Sequence, residues 1–206
     1  TPPGREPKLR DYTATSAAFS WNVARAQLAG LPGGGLNIAH EAVDRHAVTD
    51  NATRTALRWI GRDERVRDIS YAELAGLTAR FANALRTLGV ARGERVFSLL
   101  GRVPALYITA LGTLKAGGVF SPLFSAFGPE PVLARMGIGD GRVLVTTAAF
   151  YRRKVAPVRD KLPGLRQILV VGGMEGEPIP GAVDFDATLA AASDIFTTEP
   201  TRPDET

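Results

Sequence analysis

Between residues 68 and 147 short apolar runs alternate with amphipathic stretches of helical period, and this constrains the fold more than any other feature. The first helix opens with a capping box, Ser70 followed three residues later by Glu73. Its apolar stripe, Leu74, Leu77, Phe81, Leu85 and Leu88, falls at spacings of three and four, and Gly89 is placed to end it in a left-handed conformation. The pattern then repeats. Residues 95–100 read as a buried strand, Pro104–Ala116 as a helix with proline in its first turn, and residues 119–123 as the next strand. A short helix over Pro131–Met136, a strand over 142–147, a helical stretch over Tyr151–Lys161 limited by Pro157, and a strand over 166–171 follow. Strands that are apolar along their whole length are buried on both faces. The expected fold is therefore α/β, a parallel sheet flanked by helices, with all strand C-terminal ends at one edge.

The flanks carry weaker signals. Residues 1–35 read as an irregular arm, broken by Pro2, Pro3, Pro7, Pro32 and the run Gly33-Gly34-Gly35, with Trp21 expected to anchor it to the body. Leu36–Ala47 reads as a short helix with Asn37 as N-cap and Glu41 paired to Arg45. Thr55–Ile60 and Arg67–Ile69 flank a Gly61-Arg62-Asp63-Glu64 turn and predict a hairpin. Residues 36–196 are taken as the α/β unit, with a helical turn or two at Ala187–Ala192, and 197–206 as an extended linker.

Composition excludes several functions. With no cysteine among 206 residues there are no disulfides, thiolate metal sites or cysteine nucleophiles. His40 and His46 are six apart, off the i,i+4 spacing of a zinc helix, so no metal site is expected. The charge of +4 comes from arginines dispersed among acids, which reads as a solvated surface rather than a nucleic-acid stripe. The first residues lack the apolar core of a signal peptide, and no apolar run has the length of a membrane span. A cytoplasmic protein with no membrane or nucleic-acid partner is expected. No Walker loop, strand-following G-x-G-x-x-G turn or G-x-S-x-G elbow occurs, and no pair of acids stands out, so no catalytic residue is assigned.

Two segments remain as binding candidates. Pro122–Gly128 lies past the C-terminal end of a predicted strand, where open α/β sheets place ligands. There Ser125 and Ala126 sit between Phe124 and Phe127 and suggest a narrow apolar slot, although a packed strand-to-helix loop reads the same way. Arg152, Arg153 and Lys154 open the predicted helix at Tyr151. Cations there oppose the helix dipole, so either an anionic ligand or a solvated face is implied.

Several strings resemble acetyl-CoA synthetases, members of the AMP-forming, adenylate-forming acyl-CoA synthetase superfamily. They are Leu36-Asn37-Ile38-Ala39-His40-Glu41-Ala42-Val43-Asp44-Arg45-His46, Ile69-Ser70-Tyr71-Ala72-Glu73-Leu74, Ala82–Val90, Gly93-Glu94-Arg95-Val96, Lys115-Ala116-Gly117-Gly118 and Pro122–Phe127. The resemblance runs from about Trp21 to Gly173 and implies the N-terminal subdomain of such an enzyme. It implies a reaction in which a carboxylate attacks the ATP α-phosphorus with Mg²⁺ assistance, and CoA then displaces AMP from the acyl-adenylate. Small molecules are the implied partners: acetate or a short-chain carboxylate, ATP and CoA. The family's phosphate loop and catalytic lysine have no counterpart in this sequence, so this chain alone is expected to be inactive and to bind no cofactor tightly. The resemblance places Phe124, Ser125 and Ala126 beside the pantetheine channel and Arg152, Arg153 and Lys154 near the CoA nucleotide. The rival readings are a self-contained flavodoxin-like ligand-binding domain and, from charge alone, a nucleic-acid or interaction module.

Overall fold

The computed structural model describes residues 9–174 and 176–205; the first eight residues of the expected arm and the last residue of the expected linker lie outside them. Helices α1 (Tyr12–Ala18) and α2 (Trp21–Ala26) open the described chain. A π-helical turn at His40–Asp44 then leads into α3 (Arg45–Ala47). The arm is thus partly helical where irregular chain was expected. Asp11 and Ser20 cap its two helices, and neither helix buries a residue. Trp21 does not anchor it. That ring is 77% exposed and meets Phe19 edge-on, 5.3 Å between centroids. The anchor is Glu41, whose carboxylate accepts from the Ala29 and Gly30 amides at 3.1 and 2.7 Å and pairs with Arg45.

Strands β1 (Thr55–Ile60) and β2 (Val66–Ser70) form the expected antiparallel hairpin. Helix α4 (Tyr71–Thr87) begins where the Ser70 hydroxyl accepts from the Glu73 amide at 3.2 Å, and Gly89 follows it at φ +74°. The main sheet comprises β3 (Arg95–Leu99), β4 (Val119–Pro122), β5 (Gly141–Thr146), β6 (Gln167–Val170) and β7 (Ala182–Asp184). It is parallel throughout, in the order β4-β3-β5-β6-β7. Four of these strands fall where the sequence predicts them; β7 was not expected. Helices α5 (Pro104–Lys115), α6 (Pro129–Ile138), α7 (Ala148–Phe150) and α8 (Phe185–Ala191) complete the fold. Helix α7 continues through a π-helical turn, Tyr151–Val155, into a 3₁₀ helix, Ala156–Lys161, which tightens at Pro157.

Successive side chains of a strand face opposite ways, so each strand feeds two cores. Val96, Val143, Val145 and Leu169 pack with Phe81 and Leu85 of α4, Ile108 of α5, and Phe185 and Leu189 of α8. Phe97, Leu99, Leu144, Ile168 and Val170 pack with Val132 and Met136 of α6 and with Val155 and Val158. Removing a side chain such as Phe81 from water contributes about 1.5–3 kcal/mol.

The chain after α8 runs extended and is fixed to the body. Lys115 and Asp44 form a largely buried ion pair at 2.7 Å, and Asp44 also accepts from Thr198 at 3.1 Å. Asn37 donates to the carbonyls of Leu114 and Glu199, and Leu36 bridges to Thr201. Its carboxamide oxygen accepts from the Ala39 amide, the capping role expected of it. Among the described residues no helix is long and apolar enough to cross a membrane.

Candidate functional site

From β3 the chain crosses through α5 to the outer strand β4; from β5 it crosses through α7 to β6 on the opposite side. The loops leaving these neighbouring strands diverge, and a crevice opens at their carboxyl ends, the usual ligand position in an open α/β sheet. A cleft of about 1180 Å³ lies there. One wall comes from the sheet edge: Leu100, Gly101, Arg102, Val103 and Pro104 of the β3–α5 connection with Leu106 and Tyr107, Leu123, Phe124 and Ser125 after β4, and Phe150 after β5. The other wall is the hairpin, residues 57–62. The Trp59 indole nitrogen donates to the Arg102 carbonyl at 2.8 Å and pins the hairpin to the sheet edge.

Of the expected site residues, Phe124 and Ser125 line this cleft and Ala126 adjoins them outside its lining. The expected slot between Phe124 and Phe127 does not form. The two rings touch edge to face at 5.7 Å, and Phe127 packs toward the second core, with Arg135 over its ring. The apolar surface of the cleft comes instead from Phe124, Trp59, Tyr107 and Phe150.

The basic triplet is not at a helix N-terminus. The helix opens three residues earlier, at Ala148, where the Thr147 hydroxyl accepts from the Phe150 amide at 3.2 Å. Arg152, Arg153 and Lys154 therefore occupy the following π-helical turn, and the dipole argument for an anion there lapses. Arg152 donates to the Glu177 carbonyl at 2.7 Å, and Arg153 to the Ala149 carbonyl at 3.2 Å. The Lys154 ammonium sits 4.8 Å from the centre of the Phe150 ring and donates to the Ser125 carbonyl. Lys154 thus ties the loop after β4 to the helix after β5, across the end of β3.

The cleft lining contains Arg58, Arg62 and Arg102 and no carboxylate. Arg58 is neutralised by a two-pronged pair with Asp68, at 2.7 and 2.6 Å, which raises the guanidinium pKa and lowers that of the carboxyl. Sequence reasoning missed Trp59, Arg62 and Arg102. The one available signal was a tryptophan within a hairpin whose turn carries an arginine. Among the described residues no group of three or more His, Asp or Glu comes together that could hold a metal ion, and no step is derived through one.

The sequence model of the AMP-binding enzyme family matches residues 43–205. The chain belongs to that family. It is 36% identical over 181 residues to the acetyl-coenzyme A synthetase of Bacillus subtilis (strain 168), covering 86% of this chain and 30% of that protein. The Methanothrix thermoacetophila acetyl-coenzyme A synthetase is 35% identical over 164 residues, 74% of this chain and 24% of its own length. The chain thus spans less than a third of the length of these relatives. Among solved structures, a Brucella canis acyl-CoA synthetase superposes with a TM-score of 0.78 at 31% identity, covering 93% of this chain and 34% of that one. The anthranilate CoA ligase AuaEII, in complex with anthranoyl-AMP, superposes at 0.72 and 21% identity over 85% of this chain and 32% of its own, which shows the shared fold.

Proposed function

We propose that this chain is the N-terminal part of an AMP-forming ligase that joins acetate or a short-chain carboxylate to CoA through an acyl-adenylate, and that its cleft receives CoA. The observation that carries this reading is the cleft at the divergence of β3 and β5, bounded by Phe124 and Ser125, in a chain whose relatives are named acetyl-coenzyme A synthetase. An elongated thiol-bearing arm suits a cleft with aromatic walls. Phe124 and Ser125, with Ala126 beside them, would flank that arm. Lys154 would hold their loop in place, and Arg152 and Arg153 would stand near the nucleotide end. Excluding water from the thiol and orienting it are the contributions these residues can make.

ATP and Mg²⁺ supply the activation step in the whole enzyme. Charge developing on the α-phosphoryl group needs dedicated donors, and no residue of this chain is assigned to that task. The 206-residue chain alone is therefore expected to be inactive. Calorimetric titration of CoA tests the binding reading, and an absence of CoA binding at low salt would refute it. Acetate-dependent exchange of pyrophosphate into ATP tests the inactivity, and exchange above background would overturn it.

A further inference from the structure

Arg62 and Arg102 differ from every other cation around the cleft. Among the described residues, neither guanidinium has a hydrogen bond, ion pair or aromatic ring to satisfy it. Both are exposed and both line the cleft. Of the acids near Arg62, Asp63, its neighbour in the hairpin turn, is paired to Arg65 and Asp68 is paired to Arg58; Glu64, in the same turn, makes no ion pair with it and stands outside the cleft lining. The bond from Trp59 to the Arg102 carbonyl brings the hairpin turn and the β3–α5 loop together, so two residues forty apart in sequence share one cleft. With no carboxylate in the lining, the positive potential of two free guanidinium groups is uncompensated there.

We infer that Arg62 and Arg102 form an anion subsite on the hairpin side of the cleft, which takes the diphosphate of a ligand whose thiol-bearing arm lies along the aromatic wall. Guanidinium groups match phosphate oxygens through paired N–H donors, and the exposed setting makes the contacts salt-sensitive. This rests on the reading above in one respect: the phosphates are CoA's if CoA occupies the cleft. A free diphosphate carries the same chemistry, and the test separates the two.

The 206-residue chain and its R62A/R102A variant are titrated with CoA, with pantetheine and with inorganic pyrophosphate, at low salt and again at about 0.5 M salt, where screening acts within about 4 Å. Among the described residues neither guanidinium makes a hydrogen bond or an ion pair, so the variant should keep the wild-type far-ultraviolet spectrum and unfolding midpoint. The expected result is CoA binding that is about tenfold weaker in the variant at low salt, with a shallower salt dependence, as for loss of two charge-assisted contacts. Pantetheine, which lacks the phosphates, should bind both forms equally. Equal CoA affinity in the two forms overturns the subsite and leaves the CoA reading standing. Pyrophosphate binding that the variant loses, without CoA binding by the wild type, sinks the CoA reading and keeps the subsite for free diphosphates. Binding of neither by the wild type overturns both.

Discussion

Replacing Gly112 by alanine adds one methyl group where α5 lies against α4. A β-carbon there would sit 2.8 Å from Phe81 Cδ1, 2.9 Å from Phe81 Cβ and 2.9 Å from the Thr78 carbonyl oxygen. Ordinary contact between such atoms needs about 3.5 Å or more, so the helices must part by roughly 0.6 Å or the ring must turn. The ring has no room, because Phe81 is fully buried, and the carbonyl belongs to the backbone of α4. Overpacking of this kind costs about 1–3 kcal/mol, and rigid obstacles place it at the upper end. Against it stands the helix preference of alanine over glycine, about 1 kcal/mol. The net expectation for Gly112→Ala is a loss of about 1–2 kcal/mol. Gly76 in α4 supplies the control. A β-carbon there meets only Asp194 Cβ, at 3.7 Å, an ordinary contact, so Gly76→Ala should gain up to about 1 kcal/mol. Urea unfolding of both variants measures the contrast. With a slope of about 2 kcal/mol per molar urea, their midpoints should differ by about 1 M. A Gly112→Ala midpoint at or above the wild-type value would refute the close approach of the two helices.

Two further perturbations address the ends of the chain. Lys115→Met removes the partner of Asp44 at a site where the lysine side chain is only 4% exposed, and should cost about 3 kcal/mol by leaving a largely buried carboxylate unpaired. Adding Asp44→Leu should restore much of that loss; urea midpoints check both, and a single variant within about 0.5 kcal/mol of wild type contradicts a structural pair. At the other end, burial pushes the Glu41 carboxyl up, but the Gly30 and Ala29 amides and Arg45 outweigh it and hold the pKa below its ordinary 4.5. A folded-state value below the unfolded one means that the contribution is complete above pH 4.5 and lost as pH falls through the lower folded value. The Ala29 and Gly30 amide proton shifts should titrate together below pH 4.5, and Glu41→Gln should abolish that titration. A shared midpoint above 4.5 would exclude the assigned contacts.

Strands β3, β5 and β6 were legible because burial on both faces leaves continuous apolar runs, the half-exposed edge strand β4 because Gly117-Gly118 end the helix before it, and α4 because its cap and stripe are local. Strand β7 was not legible. It has three residues, and its parallel partner β6 holds it after a connection rich in glycine and proline. The arm helices escaped because neither buries a side chain, which removes the periodic stripe from which helices are read. The early start of α7 was open to the sequence, since Thr147 is a good N-cap, but the adjoining basic run drew attention to Tyr151.

The site shows where local reading stops. A sequence displays where cations cluster, and Arg152, Arg153 and Lys154 form its densest basic run. Whether a cation has donors to spare depends on the carbonyls and acids that the fold brings within reach. Each member of the triplet donates to a backbone carbonyl, two of them in segments remote in sequence or across the cleft rim. Arg62 and Arg102 carry no local mark of function, yet Asp68 and Asp63 are spent on Arg58 and Arg65, and a tryptophan bond sets both in one cleft. The free charge of the site is thus created by the pairing of its neighbours. The Arg62–Arg102 test consequently probes a property of the tertiary structure, one that no local run of the sequence displays.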